Sequence, residues 1–384
     1  MIEPNRPTVV SLFSGAGGID IGFAEAGFRT IFATDNWEIA CETLKRNQTA
    51  DEIECADVRD IDFTRFSSEN LGLEVDCLVG GPPCPSYSKS RFYLVDKPRA
   101  LDDDDRVTLE NYCRAIEEIR PRSFFFENVH GFLYKPHRAS LEFLEFQTQK
   151  LGYQLTWKVL NAADYGVPQT RERFICIGTR EDLPPFRFPD QTHGNLSDTK
   201  TLGSDEVESV RQISMFSPTH NSNEDRVVQP WVNCREAIGK YDYPLTEDAD
   251  MQAGSKHSDL LKLIPPGENY LYLTAHRGYP DPKFQWRKRY WSFLLKLSPD
   301  RPSWTIQASF SNNMGPFHWT GRFLRISEIQ ALQTFPESIK FSGNFRTQWR
   351  LIGNAVPPLL ARAVAQELYG LLDRSTQATA ESLG

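Results

Sequence analysis

The stretch Val75-Asp-Cys-Leu-Val-Gly-Gly-Pro-Pro-Cys84-Pro-Ser-Tyr-Ser88 decides how the rest of the chain is read. Its apolar run Cys77-Leu-Val79 is short and bounded by turn residues, which is the pattern of a buried strand. The two glycines allow a sharp backbone turn and the prolines stiffen the exit. A thiol is thereby held at the tip of a strand. Two readings of Cys84 are open. It is a small core residue, as free cysteines usually are, or a nucleophile, because ligands of open α/β sheets sit beyond the carboxyl ends of strands.

The N-terminal stretch supplies a partner for the second reading. Thr8-Val-Val-Ser-Leu-Phe13 reads as a strand, Ser14-Gly-Ala-Gly-Gly18 as a glycine loop, and Ile19 to Ala26 as a helix stopped by Gly27. Strand, glycine loop and helix form the first unit of a nucleotide-binding α/β fold, where free N–H groups of the helix meet the ligand. Neither Gly-x-Gly-x-x-Gly nor a Gly-Lys-Ser/Thr phosphate loop is present. A second strand, Thr30-Ile-Phe-Ala-Thr34, ends at Asp35. That carboxylate, about 20 residues beyond the glycine loop, is placed to accept from ribose hydroxyls. It can equally cap a helix over Trp37 to Lys45. Trp37 is a candidate to pack on an adenine ring, and Asp57-Val58, closing a third short strand, to frame its amino group.

Beyond Cys84 lies a long polar and aromatic stretch from Pro85 to about Arg106, the length of a functional lid. A helix from Arg106 to about Glu118 and a strand Ser123-Phe-Phe-Phe126 follow, and the strand ends in Glu127-Asn-Val129. A glutamate after three phenylalanines is expected to be partly desolvated, which raises its pKa and suits a proton donor; a salt-bridged or capping glutamate is the alternative. After a helix over Ser140 to Leu151, Tyr153 to Leu160 and Arg173 to Gly178 form an antiparallel end to the sheet. Gln169, Arg171 and Arg173 alternate on the extended segment between them, a spacing that points side chains to one side and suits an anion or a base edge. A salt-bridged surface ribbon has the same pattern.

Composition changes after Thr179. Residues 186–319 are rich in Pro, Gly, Ser and aromatics and poor in helical periodicity. The chain carries a net charge of −8, which argues against a polyanion partner, yet Ser255 to Arg325 holds eleven Lys/Arg against four Asp/Glu. Basic residues interleaved with aromatics in Phe284-Gln-Trp-Arg-Lys-Arg-Tyr-Trp291 are the composition of a nucleic-acid contact, or the core of an irregular domain. Helices resume at Ser327 to Phe335 and Leu359 to Leu372, separated by Gly353-Asn-Ala-Val-Pro-Pro358. The expected organisation is a catalytic and cofactor-binding domain over 1–185, an inserted recognition domain over 186–319, and a segment over 320–384 that returns to the first domain. The expected fold class is α/β: a Rossmann-like sheet, mostly parallel with an antiparallel end, plus a smaller irregular, β-rich domain.

Global properties exclude several classes. Apolar content of 40% and charged content of 24% are those of a globular protein. No apolar run reaches a membrane span and no secretory leader is seen, so a cytoplasmic location is expected. Seven cysteines with no Cys-x-x-Cys pair, and seven scattered histidines, predict reduced thiols and no metal.

Taken in order, these motifs resemble the DNA cytosine-5 methyltransferase family. The resemblance spans Val9 to about Gly178 and Arg322 to Ala365. It is carried by Phe13-Ser-Gly-Ala-Gly-Gly18, Gly80 to Ser88, Glu127-Asn-Val129, Gln169-x-Arg171-x-Arg173, Arg322-x-Leu324 through Glu328 to Leu332-Gln-Thr-Phe-Pro336, and Gly353 to Pro358. It implies S-adenosylmethionine as methyl donor, contacted by Phe13, Ser14, Gly15, Gly17, Gly18, Asp35, Asn36, Asp57, Val58, Pro83, Leu109, Asn354 and Val356. It implies a flipped cytosine facing Cys84, Glu127, Arg171 and Arg173, and double-stranded DNA contacted by Ser88, Ser90, Gln169, Arg287, Lys288 and Arg289. No metal is implied. A monomer acting in a restriction-modification setting is expected, which leaves room for a companion restriction endonuclease. The chain departs from the family pattern at Pro85, usually Gln, at Asp35, usually Glu, and at Asn36, often aromatic. Rival readings are a tRNA cytosine-5 methyltransferase, whose usual Cys-Phe-Thr tripeptide is absent from the middle segment, a catalytically silent DNA-binding paralogue, and a dehydrogenase-like enzyme, which lacks its glycine fingerprint.

Overall fold

Three consecutive phenylalanines, Phe124-Phe125-Phe126, show why this chain builds a three-layer sandwich. In a strand, neighbouring side chains point to opposite faces. Phe125 packs on one face of the sheet and Phe124 and Phe126 on the other, and all three are fully buried. A strand covered on both sides reads as an unbroken apolar run, as does the Cys77–Gly80 strand.

A computed structural model describes residues 6–83, 103–195, 228–244, 253–287, 290–309 and 311–382. The strands are β1 (Thr8–Leu12), β2 (Arg29–Asp35), β3 (Glu52–Cys55), β4 (Cys77–Gly80), β5 (Ser123–Val129), β6 (Tyr153–Asn161), β7 (Glu172–Arg180), β8 (His193–Gly194) and β9 (Gln229–Pro230). The helices are α1 (Gly18–Glu25), α2 (Glu38–Asn47), α3 (Ser68–Leu71), α4 (Asp103–Ile119), α5 (Arg138–Lys150), α6 (Cys234–Ile238), α7 (Ser258–Leu263), α8 (Ile326–Leu332), α9 (Phe345–Asn354) and α10 (Pro358–Ser382).

The main sheet has seven strands in the order β3-β2-β1-β4-β5-β7-β6. The first five pair in parallel, and β7 runs antiparallel to both β5 and β6. This is the mostly parallel sheet with an antiparallel end that the sequence leads one to expect. The order reverses between β1 and β4, so a crevice opens there at the carboxyl ends, where open α/β sheets bind ligands. The glycine loop follows β1 and Gly81-Pro-Pro83 follows β4, which puts the two motifs on adjacent strand ends.

Helices α1 and α10 cover one face, with Ile19, Phe23, Leu360, Ala361, Val364 and Leu368 packed on Val9, Val79 and Phe125. Helices α4 and α5 cover the other, with Leu109, Tyr112, Ile116 and Leu144 on Leu12, Leu78 and Phe126. The closeness of α1 and α10 is set by missing side chains. An ideal Cβ on Gly22 would lie 2.5 Å from the Pro358 carbonyl, and one on Gly18 would lie 2.2 Å from the Val356 carbonyl. The C-terminal motif thus lies directly on the helix that begins at the glycine loop.

The middle segment differs from expectation. Among its described residues there is one two-residue parallel pair, β8 with β9, a few isolated bridges, and short helices. The expected β-rich character is not found there. Frequent Pro and Gly interrupt any ladder, and aromatic clustering replaces strand pairing: Tyr270, Phe284 and Phe293 meet edge-on at 5.5–5.7 Å. The expected boundary at 319/320 falls inside a packed turn, because Phe317 and Phe323 share one cluster and His318 N–H donates to the Arg322 carbonyl at 2.9 Å. The third expected strand ends earlier than Asp57-Val58, at Cys55. Asp57 instead caps a short 3-10 turn.

Replacing Gly22 by Ala forces backbone or helix displacement and is expected to destabilise by about 1–3 kcal/mol. Gly239→Ala, where the nearest atom to a new Cβ is a flexible Arg235 methylene at 3.6 Å, is expected to be silent. Urea unfolding of both variants checks the pair; equal midpoints would refute the packing argument.

Candidate active site

The site is assembled from the ends of β1, β2, β4, β5 and β7. At the end of β1 the backbone takes left-handed conformations at Phe13 (φ 54°), Gly15 (φ 53°) and Gly17 (φ 78°). For Gly15 and Gly17 this is unstrained; for Phe13 it is an unfavourable state that the surrounding structure must hold. The loop is closed by Ser14 N–H to the Thr34 carbonyl (3.0 Å), Gly17 N–H to the Ser14 carbonyl (2.8 Å), and a 2.8 Å hydroxyl contact between Ser11 and Ser14.

Asp35 joins this loop to the next one. One carboxylate oxygen accepts from Gly15 N–H and the other from Trp37 N–H, each at 2.9 Å. Burial raises its pKa, and the Trp37, Gly15 and Asn36 N–H groups oppose the rise. Asp35 does not cap α2, whose N-cap is Trp37; it receives the Trp37 N–H in the turn before the helix while also bonding the glycine loop. Asn36 is exposed. Trp37 does not lie open for an adenine, since the Arg350 guanidinium sits 4.8 Å over its ring. Asp57 is held by Arg59 through contacts of 2.7–3.0 Å, which keep its pKa low. Val58 and Leu109 are buried in one apolar cluster. Asn354 is exposed at the end of α9, and Val356 is buried with its carbonyl beside Gly18.

The two glycines after β4 are not there for a turn. Neither has a left-handed φ; both make room. A Cβ on Gly80 would strike the Tyr112 ring at 2.9 Å, and one on Gly81 would lie 2.8 Å from Glu127 Oε2. The Glu127 carboxylate thus lies on the backbone that leads to Cys84. The next residue holds that backbone as well: Asn128 Nδ2 donates to the Pro82 carbonyl at 3.4 Å, and Thr108 Oγ1 of α4 donates to the Pro83 carbonyl at 3.5 Å. Pro83 is the last described residue before Cys84. Cys84, Ser88, Ser90, Lys288 and Arg289 lie outside the described residues.

Glu127 and Arg173 form a buried ion pair, with Arg173 Nε 2.8 Å from Glu127 Oε1. Desolvation raises the pKa of Glu127, and the Arg173 and Arg171 charges oppose it. Desolvation likewise lowers Arg173, against the pull of Glu127. The pair is one buried unit in which a neighbouring group shifts the proton balance.

Arg171 and Gln169 do not join that face. Arg171 is fully buried and donates to the carbonyls of Ile306 (3.1 Å), Gly353 (2.8 Å) and Ala355 (3.0 Å). Gln169, expected on the DNA side, is fully buried too: it receives Ile306 N–H at 2.9 Å and donates to Gln333 Oε1 at 2.9 Å. Alternation put the three residues on one side, but the C-terminal segment covers that side before Arg173. Arg287 is exposed.

Asp20 is a residue that motif reading misses. It is 1% exposed in α1, neither carboxylate oxygen has a hydrogen-bond partner within ordinary limits, and desolvation pushes its pKa up to about 6, with Ser11 nearby opposing the rise. Its only sequence signal is a charge inside the apolar run Ile19-Asp-Ile21. Burial also pushes the Cys77, Cys113 and Cys234 thiols up to about 12, so each is a neutral thiol near neutrality. No group of metal-ligating side chains occurs among the described residues, and no described helix is long and apolar enough to cross a membrane.

The profile of the C-5 cytosine-specific DNA methylase family matches residues 7–370. The chain belongs to that family. It is 36% identical to the type II methyltransferase M.SacI of Streptomyces achromogenes over 95% of this chain and 94% of that one. It is 30% identical to the type II methyltransferase M.XorII of Xanthomonas oryzae pv. oryzae, over 98% and 88% of the two chains. In fold it is similar to the Dnmt2 methyltransferase of S. pombe, with a TM-score of 0.56 at 15% identity, covering 96% of this chain and 99% of that one. As a member of the family the chain is a DNA methyltransferase, a transferase of one-carbon groups, and the family implies S-adenosylmethionine as donor.

The raised pKa of Asp20 fixes a sign. The folded state takes up this proton more readily than the unfolded chain, where an Asp titrates near 3.9. Stability therefore falls as pH rises from about 4 to about 6, and the penalty persists above, on the order of 3 kcal/mol for about two pKa units. Asp20→Asn is expected to match the parent near pH 4 and exceed it in melting temperature above pH 6. A constant difference across that range would sink the assignment.

Proposed function

We propose that this chain methylates carbon 5 of a cytosine in duplex DNA, within a specific sequence, with Cys84 as nucleophile and Glu127 and Arg173 holding the base. The observation that carries the reading is the buried Glu127–Arg173 pair lying against Gly81, three residues before Cys84. The site's composition also fits the donor. Glycines at left-handed positions open the backbone after β1, Asp35 bonds that loop, and the Val356 carbonyl closes on Gly18. Phe13 to Gly18, Asp35, Val58, Pro83, Leu109 and Val356 would hold S-adenosylmethionine, which supplies an electrophilic methyl group.

Carbon 5 of cytosine is a weak nucleophile. Addition of the Cys84 thiolate at carbon 6 makes the ring an enamine that can take up a methyl group. Glu127, biased toward its protonated form by burial, can donate to ring N3 as charge develops there. Arg173 donates to the base carbonyl and steadies the Glu127 carboxylate. Arg171 acts at a distance, since its terminal nitrogens are committed to main-chain carbonyls and Gln169. Water carries off the carbon 5 proton. A base inside a duplex cannot reach such a thiol, so it must leave the stack, at a few kcal/mol. Exposed aromatics in the middle segment support DNA as its partner: Trp291 and Trp304 pack at 5.2 Å with 39% and 49% of their surfaces open, and Trp286 lies beside Arg287. The basic excess over Ser255 to Arg325 is partly consumed internally. Lys296 is buried on the Ile264 carbonyl, and Arg322 forms two bonds of 2.7–2.8 Å to the Glu328 carboxylate of α8. The type II names of its relatives support a restriction-modification role. The reading adds a companion endonuclease, residues 186–319 as the recognition domain, and cytoplasmic action on chromosomal DNA as a monomer.

Cys84→Ala is expected to retain duplex binding and lose methyl transfer; labelled-methyl incorporation into duplex DNA and tRNA, followed by bisulfite sequencing, reads activity, substrate and target together. Continued incorporation by the variant would remove Cys84 from the mechanism. Glu127→Gln is expected to slow methylation by about 10²–10⁴-fold with little change in donor affinity, and a near-normal rate would exclude it as the acid.

A further inference from the structure

Two thiols have no part in the chemistry above. Cys41 is buried in α2, and Cys55 is exposed as the last residue of β3. The parallel register of β2 and β3 sets Cys55 opposite Asp35. The Asp35 carbonyl accepts Ala56 N–H at 3.1 Å and the Cys41 thiol at 3.1 Å. One carbonyl therefore gathers both cysteines, and Cys55 is a neighbour that acts on the Cys41 thiol. On its other side Asp35 bonds the glycine loop through Gly15.

We propose that Cys41 and Cys55 are a modification site, a thiol pair that hydrogen peroxide closes into a reversible disulfide between α2 and β3, directly behind Asp35. Cys55 reacts first because it is exposed; burial, then the adjoining Cys55, push the Cys41 thiol up to about 12. The Cys55 sulfur attacks one peroxide oxygen, the O–O bond breaks, and the departing hydroxide takes a proton to become water. Cys55 is left as a sulfenic acid. The Cys41 sulfur then attacks the Cys55 sulfur. The S–S bond forms, the S–O bond breaks, and the hydroxyl leaves as a second water with the Cys41 proton. Two thiols and one peroxide become one disulfide and two waters. Closure removes the S–H donor from the Asp35 carbonyl and ties α2 to β3, so it acts on the orientation of Asp35. The consequence for methyl-donor binding rests on the reading of Asp35 given above.

The test uses the full-length protein. It is treated with hydrogen peroxide, alkylated, digested with trypsin and mapped by mass spectrometry. A Cys41–Cys55 linked peptide that disappears on reduction, and is absent from Cys55→Ser and Cys55→Ala, is the expected result. Separate alkylation of the two cysteines after peroxide, or oxidation of Cys55 to sulfinic acid without a cross-link, would overturn the proposal. The second arm measures S-adenosylmethionine affinity by calorimetry without DNA, so that oxidation of Cys84 does not enter as lost turnover. The cross-linked protein is expected to bind about fivefold more weakly or worse, with recovery on reduction and no peroxide effect in Cys55→Ser. Unchanged affinity in cross-linked protein would refute the effect on Asp35. A reduced protein that binds no donor would instead defeat the reading of Asp35, and the cross-link would stand.

Discussion

A single buried cation holds the two ends of this chain together. The Arg171 guanidinium, at the start of β7, donates to main-chain carbonyls at Ile306, Gly353 and Ala355. Those carbonyls come from the end of the middle segment and from the turn between α9 and α10. Carbonyl dipoles, rather than a carboxylate, hold this charge in the interior, and burial together with the Arg173 charge lowers its pKa. Gln169 repeats the device with Ile306 N–H and Gln333. Once these bonds form, Val356 is pressed onto Gly18 and the cofactor loop has its floor. An arginine is suited to this because its planar fork serves several acceptors at once.

The chemistry depends on a second buried charge. Glu127 has no room of its own except over Gly81, and Arg173 fixes its other oxygen. Desolvation raises its pKa, and the two arginines oppose the rise. In the proposed reaction, such a balance would let a base edge that excludes water tip the carboxyl toward the acid form. Asn128 and Thr108 restrain the Pro82 and Pro83 carbonyls, so the same strand that carries the acid also aims the segment carrying the thiol.

The middle segment shows how far charge counts mislead. The Lys/Arg excess over Ser255 to Arg325 suggests an open basic face, but Lys296, Arg322 and Arg325 are directed inward. Arg325 donates to the Tyr241 and Tyr243 carbonyls at 2.6–2.7 Å, which pins residues before the insert's core to the helix after it. What remains outward is aromatic, Trp286, Tyr290, Trp291 and Trp304, together with basic residues such as Lys283, Arg287 and Arg301. A surface of that kind suits stacking and wedging as well as phosphate contact.

The main-sheet strands, the helices that cover them, and the parallel sheet with its antiparallel end were legible in the sequence. Period-two burial, glycine stops and strand-end carboxylates are local signals, set by backbone geometry that each segment carries within itself. The reasons for particular residues were not legible. Gly80 and Gly81 looked like turn formers and are spaces for Tyr112 and Glu127. Gln169 and Arg171 looked like ligand contacts and are struts, because a segment more than 130 residues away packs over them. Helix α9 went unread inside a motif, and the insert formed aromatic clusters in place of strands. By itself the sequence determined which elements form and which chemistry they bring. Only the tertiary structure decided which polar groups face the crevice and which are buried as braces, since that depends on what distant chain covers them.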